Sequence, residues 1–153
     1  MVPMTATDGI RRPFVNAMFY EEPTGTFADG YVFRTLPDLT GLQQDPENGY
    51  WHCDIAHHDS LTWSEKVYQL FCLPAGTPIE RQWAVARYSE RSRDTLETIR
   101  TFGRKRSFGF ILDAEITPEG AARRWIRVLA VPILANGRVV GLQGVKRGLQ
   151  PLA

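Results

Sequence analysis

Apolar and polar positions along this chain switch from a period of two to helical spacing and back again. From Tyr50, the residues Trp51, Cys53 and Ile55 alternate with His52, Asp54 and Ala56. That is the period of a half-buried strand. His57-His58-Asp59-Ser60 breaks it, and Leu61-Thr62-Trp63 predicts a second, short extended piece. Val67, Leu70 and Phe71 then fall at helical spacing, with Ser64, or Thr62 together with Glu65, suited to cap the start. Leu73-Pro74-Ala75-Gly76 ends that helix. Thr77-Pro78-Ile79-Glu80 predicts a second helix, with Thr77 as N-cap, Pro78 at the first helical position and Glu80 completing a capping box. Ile79, Trp83 and Val85 lie along it. After a pause at Tyr88-Ser89, a third helix is predicted over 90–102, with Leu96, Ile99 and Phe102 inward and Gly103 closing it.

The last third returns to alternation. Phe108, Phe110, Leu112, Ala114 and Ile116 share one parity. Thr117-Pro118-Glu119-Gly120 places Pro and Gly where a β-turn uses them. Strands are predicted over 123–134 and 138–146, joined by Asn136-Gly137, a strong hairpin signal. Three long strands linked by tight turns form an antiparallel meander. Before Tyr50 the picture differs. A proline and a glycine recur about every ten residues from Pro3 to Gly49, so residues 1–48 read as a partly irregular N-terminal arm with short apolar clusters. The expected organisation is an arm (1–48), one α+β domain (49–149) and a short tail (150–153), with the helices covering one face of one sheet.

Order and residues together resemble a PAS domain over about 49–149. GYWHCDI resembles its first strand, and LTWSEKVYQLFCLPAG its second strand and first helix, with Cys72 where glycine is usual. YSERSRDTLETIRTF stands where the family starts its long helix, without the usual proline after Tyr88. ARRWIRVLAVPILANGRVVGLQGVKRGL resembles the last two strands. Gly148-Leu149-Gln150 stand in place of the family's closing Asp-Ile-Thr. The resemblance implies a five-stranded antiparallel sheet with short helices on one face. It also implies a role in signal transduction as a sensor, adaptor or dimerisation unit.

Composition narrows the function classes. At 153 residues, 43% hydrophobic and 23% charged, the chain can bury one core. A formal net charge of +1 offers no general attraction to nucleic acid or anionic membrane. Arg104-Lys105-Arg106, with Arg91, Arg93 and Arg100 upstream, reads as a solvated turn. No stretch approaches the roughly 18 apolar residues of a membrane span, and the N-terminus lacks a secretory apolar run, so the expected compartment is the cytoplasm. Two cysteines are too few for a disulfide framework.

His52, His57, His58, Cys53, Asp54 and Asp59 crowd together in sequence. On a strand, however, Cys53 points away from His52 and Asp54, and it sits about 13 Å from His57 at roughly 3.3 Å per residue. Only His57, His58 and Asp59 could gather, too few for a zinc site. Cys72 falls at a helix C-terminus, where the dipole disfavours a thiolate. No G-x-S-x-G is present. No metal, catalytic residue or enzyme activity is therefore expected. Among PAS relatives, neither the Asn-Cys-Arg-Phe-Leu type of flavin motif nor a histidine on the long helix for haem has a counterpart here, and no cofactor is assigned.

Two sets of positions remain as candidates. Phe110, Leu112, Ile126, Val128 and Leu142 face the helices; they form either plain core or the lining of a small-organic-ligand pocket. Trp125, Leu129 and Val131 face the other way and would form a large apolar patch. Either the arm covers it, through Phe14, Met18 and Phe19 or through Tyr31 and Phe33, or a second copy does. The resulting expectation is a stand-alone sensory or adaptor module, homodimeric through the outer sheet face, passing its output to a partner protein. The alternative is a small-molecule-binding or catalytic α+β domain with a pocket between sheet and helices.

Overall fold

A computed structural model describes residues 25–34 and 37–149. Their strands make one antiparallel sheet. In chain order the elements are β1 (Gly25–Phe27), β2 (Gly30–Phe33), α1 (Leu39–Gln43), β3 (Gly49–Asp54), a 3-10 turn (Ile55–His57), β4 (Ser60–Trp63), α2 (Glu65–Leu70), α3 (Arg81–Ala86), α4 (Glu90–Arg106), β5 (Gly109–Ile116), β6 (Arg124–Ala135) and β7 (Arg138–Leu149). Their order across the sheet is β1-β2-β5-β6-β7-β3-β4.

The five strands expected from the alternation are present in antiparallel order, and the α+β class holds. Two further strands extend the sheet. Val32 stands opposite Phe110 and Tyr31 opposite Ile111, so residues within the sequence read as an arm add a hairpin to the β5 edge. The β6–β7 hairpin turns at Asn136-Gly137, with φ of 53° and 76°. Both central residues of a type I′ turn need positive φ, which explains the strength of that signal.

Helix boundaries differ from the sequence expectation for local reasons. Thr77 does not cap α3; its hydroxyl donates to the Pro74 carbonyl at 2.6 Å, and the helix starts later with Glu80 at the N-cap. Helix α4 runs through Gly103 to Arg106. Gly103 lies in close approach rather than at a terminus: a Cβ there would come 2.9 Å from the Phe108 carbonyl oxygen. Ser107, at φ 58°, turns the chain instead. Arg104, Lys105 and Arg106 thus occupy the last helical turn, where cations complement the helix dipole.

Register divides the side chains between two cores. On the inner face, Trp51, Cys53, Trp63, Phe110, Val128 and Leu142 pack with Val67, Phe71, Tyr88, Leu96 and Ile99 from the helical side. On the outer face, Tyr31, Phe33, Ile111, Leu129, Val131 and Val145 form a second cluster, against which Leu39 and Leu42 of α1 pack. One helix therefore lies on the outer face, where the sequence expectation placed none. Leu129 (0% exposed) and Val131 (4%) are already covered within the single chain. Of the three interface candidates only Trp125, half-buried and in register with Glu115 and Leu149, keeps appreciable exposure. Burial of Leu129 and Val131 needs no second copy. Tyr31 and Phe33 belong to this cluster as members of the sheet itself, while Phe14, Met18 and Phe19 lie outside the described residues, as does the tail.

Tyr31 gives the outer core a pH signature. Burial pushes its phenol up to about 12, against a pull downward from Arg127. A tyrosine in the unfolded chain ionises near 10. The stability carried by the neutral phenol is therefore complete below about pH 10 and is lost as pH rises through about 12. Urea midpoints are expected to fall across that window, and Tyr31→Phe should shallow the fall. Identical slopes for the two proteins would rule out this assignment.

Candidate functional site: a cation-lined aromatic cavity

Between the inner face of the sheet and the helices lies a cavity of about 50 Å³. At roughly 10–15 Å³ per water it holds about three or four waters. The sheet contributes Trp51 and Cys53 from β3, Leu61 and Trp63 from β4, Phe110 from β5, Val128 from β6, and Leu142 and Lys146 from β7. Helix α3 contributes Arg81, Ala84 and Val85. Tyr88 follows it, and α4 adds Leu96 and Arg100.

Pairing across the sheet explains how these side chains converge. Trp51 lies opposite both Trp63 and Gly144, and Lys146 opposite both Val128 and Gly49. Directly paired residues share a face. At Gly144 a Cβ would fall 1.7 Å from the Leu129 carbonyl oxygen. Glycine leaves that oxygen open, and the Trp51 indole Nε1–H donates to it at 3.2 Å. The indole is thereby held in the cavity wall. Tyr88 is fixed by its backbone: it bridges to Ile116, and the next residue's N–H donates to the Glu115 carbonyl at 2.9 Å. Ser92 adds its hydroxyl as acceptor for the Glu115 N–H.

Lys146 is the unusual member. It is 7% exposed. Its Nζ lies 5.4 Å from the Trp51 ring centroid, 5.5 Å from Trp63, 5.2 Å from Phe71 and 5.7 Å from Tyr88. It donates to the Tyr88 hydroxyl at 3.1 Å. Four aromatic faces around one ammonium offset part of the cost of taking it out of water. The other two cations of the wall have carboxylate partners. Arg81 pairs with Glu97, and Arg100 Nη2 meets Asp59 Oδ1 at 2.9 Å.

The histidine-rich segment resolves into a strand, a single 3-10 turn and a reversal. His58 and Asp59 both take positive φ, 61° and 57°. The reversal carries Asp59 back to Arg100 and to Cys53, whose Sγ is 3.7 Å from Asp59 Oδ1 and 3.9 Å from Arg100 Nη2. Burial, more than these charges, pushes the Cys53 thiol up, so it stays protonated at neutral pH. His57 Nδ1 pairs with Asp54 Oδ2 at 2.9 Å, and that bond holds the exposed Asp54 carboxyl below its usual range. Among the described residues no three His, Cys, Asp or Glu side chains converge as a metal site. Among them, too, no helix is long and apolar enough to cross a membrane.

Of the ligand-binding candidates, Phe110, Val128 and Leu142 line the cavity. Leu112 and Ile126 share their face but are fully buried in the surrounding core, away from the cavity wall. Lys146, Tyr88, Trp51, Trp63 and Arg100 were not among the candidates. Parity alone could have placed Lys146 inward, since it is in phase with Leu142.

No family model matches the chain, and no curated protein matches it either. Solved structures do. The N-terminal domain of a diguanylate cyclase with PAS/PAC sensor from Marinobacter aquaeolei matches with a TM-score of 0.60 at 13% identity, over 66% of this chain and 94% of that one. A domain assigned to a light- and redox-sensing histidine kinase from Haloarcula marismortui matches with a TM-score of 0.59 at 11% identity, over 73% and 97%. An RNA-binding light-oxygen-voltage receptor matches with a TM-score of 0.59 at 12% identity, over 70% of this chain but 32% of the receptor. The fold is the PAS fold.

Within this PAS fold the cavity occupies the space between the sheet and the helices that cross it. The cysteine outside the core, Cys72, is exposed just beyond the end of α2 and is not on the cavity wall. The histidines belong to β3 and to the turn after it, and α4 carries none. At its present volume the cavity is several-fold smaller than the roughly 300–1,000 Å³ of sites for drug-sized ligands. What it can hold is a molecule of a few non-hydrogen atoms.

Proposed function

We propose that this chain is a sensory or adaptor module in cytoplasmic signal transduction, and that its PAS-fold core binds a small organic ligand in the cavity. The observation that carries this reading is the buried, polar-headed side chain of Lys146 on an otherwise aromatic and aliphatic wall. Ordinary core needs no ammonium, whereas ligand sites combine apolar walls with a few placed polar groups. The similar folds whose names include a PAS/PAC sensor and a light-oxygen-voltage receptor support the same direction. The reading is non-catalytic: the one thiol on the wall is kept protonated by burial. Output passes by population shift, with ligand favouring one arrangement of helices on the sheet. Homodimerisation and a signalling partner belong to this proposal as well. Any homodimer would use exposed surface such as that around Trp125 rather than Leu129 or Val131.

Native mass spectrometry of the purified chain tests the reading. The expected result is a chain carrying one small non-covalent adduct, released on denaturation, with a peak at twice the chain mass for the dimer. A bare monomer mass, together with unmoved Trp51 and Trp63 indole resonances when small-molecule fragments are added, would contradict it.

A further inference from the structure

We propose that the ligand is a small organic monoanion, a short-chain carboxylate, whose charged head sits on Lys146 Nζ. The inference rests on the cavity being a ligand site and adds the charge and size of the occupant. Its first support is the charge count at the wall. Three cations line the cavity, and no Asp or Glu does. Glu97 answers Arg81, and Asp59 answers Arg100. Lys146 has no carboxylate partner among the described residues. One positive charge is thus left over in a place where unpaired charge is costly.

The second support is the donor inventory. An ammonium has three N–H donors and no acceptor capacity. Tyr88 Oη takes one at 3.1 Å. The four rings stabilise the charge through their faces, yet they give the other two N–H groups no directed lone pair. A carboxylate oxygen supplies both a lone pair and the missing negative charge, and a charge-assisted bond is about twice as strong as a neutral one. A neutral ligand would supply the first and not the second.

The third support is size. The cavity takes about three or four water-sized groups, the scale of acetate or propionate. Once the head is on Lys146, the methyl or ethyl end has Val128, Leu142 and Phe110 to lie against.

The test uses the full chain titrated with acetate and propionate, and in parallel with acetamide and propionamide, which keep the shape and lose the charge. Thermal midpoints and the Trp51 and Trp63 indole NMR signals are followed. The acids are expected to raise the midpoint saturably and to shift both indoles, with the amides weaker by about 30-fold or more. Lys146→Met keeps the unbranched stem and removes the charge; it should fold at least as stably and lose the response to the acids. Acids and amides binding equally, or Lys146→Met binding propionate like the parent, would overturn the charge assignment. If Lys146→Met fails to fold, the comparison of acids with amides on the parent chain decides alone. Saturable binding of the amides without the acids would leave a ligand cavity and remove the anion. No response to any of the four probes would overturn both.

Discussion

Replacing Asp113 with Ala is expected to lower stability by about 3–5 kcal/mol, because it removes the carboxylate of a buried, two-pronged ion pair. Asp113 and Arg127 are directly paired across β5 and β6 on the outer face of the sheet. Arg127 grips the carboxylate with two nitrogens: Nε contacts Oδ1, and Nη2 meets Oδ2 at 2.6 Å. The side chains are 3% and 13% exposed. Such a two-pronged pair is directional as well as charged. Removing the carboxylate takes both of these bonds from a buried guanidinium, and a chain of this size should lose roughly 10 °C or more in thermal midpoint. Asp113→Leu combined with Arg127→Met deletes both charges and should recover most of the loss. A loss below about 1 kcal/mol for Asp113→Ala would mean the pair behaves as a surface ion pair.

Phe33→Ala should cost a similar amount, about 3–5 kcal/mol, by leaving a void in the outer core. Phe33 is 0% exposed. Its ring fills the space over Gly109, where a Cβ would come within 2.4 Å of Cε2. The measurement is a urea or thermal unfolding curve against the parent chain. It asks whether the β1–β2 hairpin is integral to the cooperative unit. A near-neutral substitution would show that the hairpin opens independently of the rest.

These two sites mark where sequence reading stopped. From Tyr50 onward the period of the apolar residues was enough to place strands and helices in chain order, because a two-residue period and a 3.6-residue period are hard to confuse over long runs. The hairpin at Asn136-Gly137 was legible from the φ that those residues tolerate. Phe33 was harder to place. Its strand is four residues long, buried at every position, and follows a segment punctuated by proline and glycine. Alternation has no contrast in so short a buried run. Arg127 escaped notice because an arginine at an outward position reads as solvated unless its cross-strand carboxylate is known, and register supplies that only once the fold exists.

The cavity shows the same boundary. Phe110, Val128 and Leu142 were readable as inward positions because they are apolar and in phase. Lys146 is equally in phase with Leu142, but a lysine near the end of a strand is conventionally assigned to water. Only the meeting of β3, β4, the end of α2 and Tyr88 around it makes burial tolerable. Asp59 likewise looked like one more acid in a polar turn. Two successive residues with positive φ turn the backbone so that it reaches Arg100 on α4.

Strand β7 sits between β6 and β3, with neighbours on both sides. Three consecutive residues on it serve different compartments. Val145 belongs to the outer core, Lys146 points into the cavity, and Arg147 holds Asp45 at 3.1 Å in the loop that leads into β3. A disturbance at the ammonium therefore has one peptide unit to cross before it reaches the opposite surface. The cavity and the outer core are thus two sides of one β-layer, a single residue apart along the strand that both share.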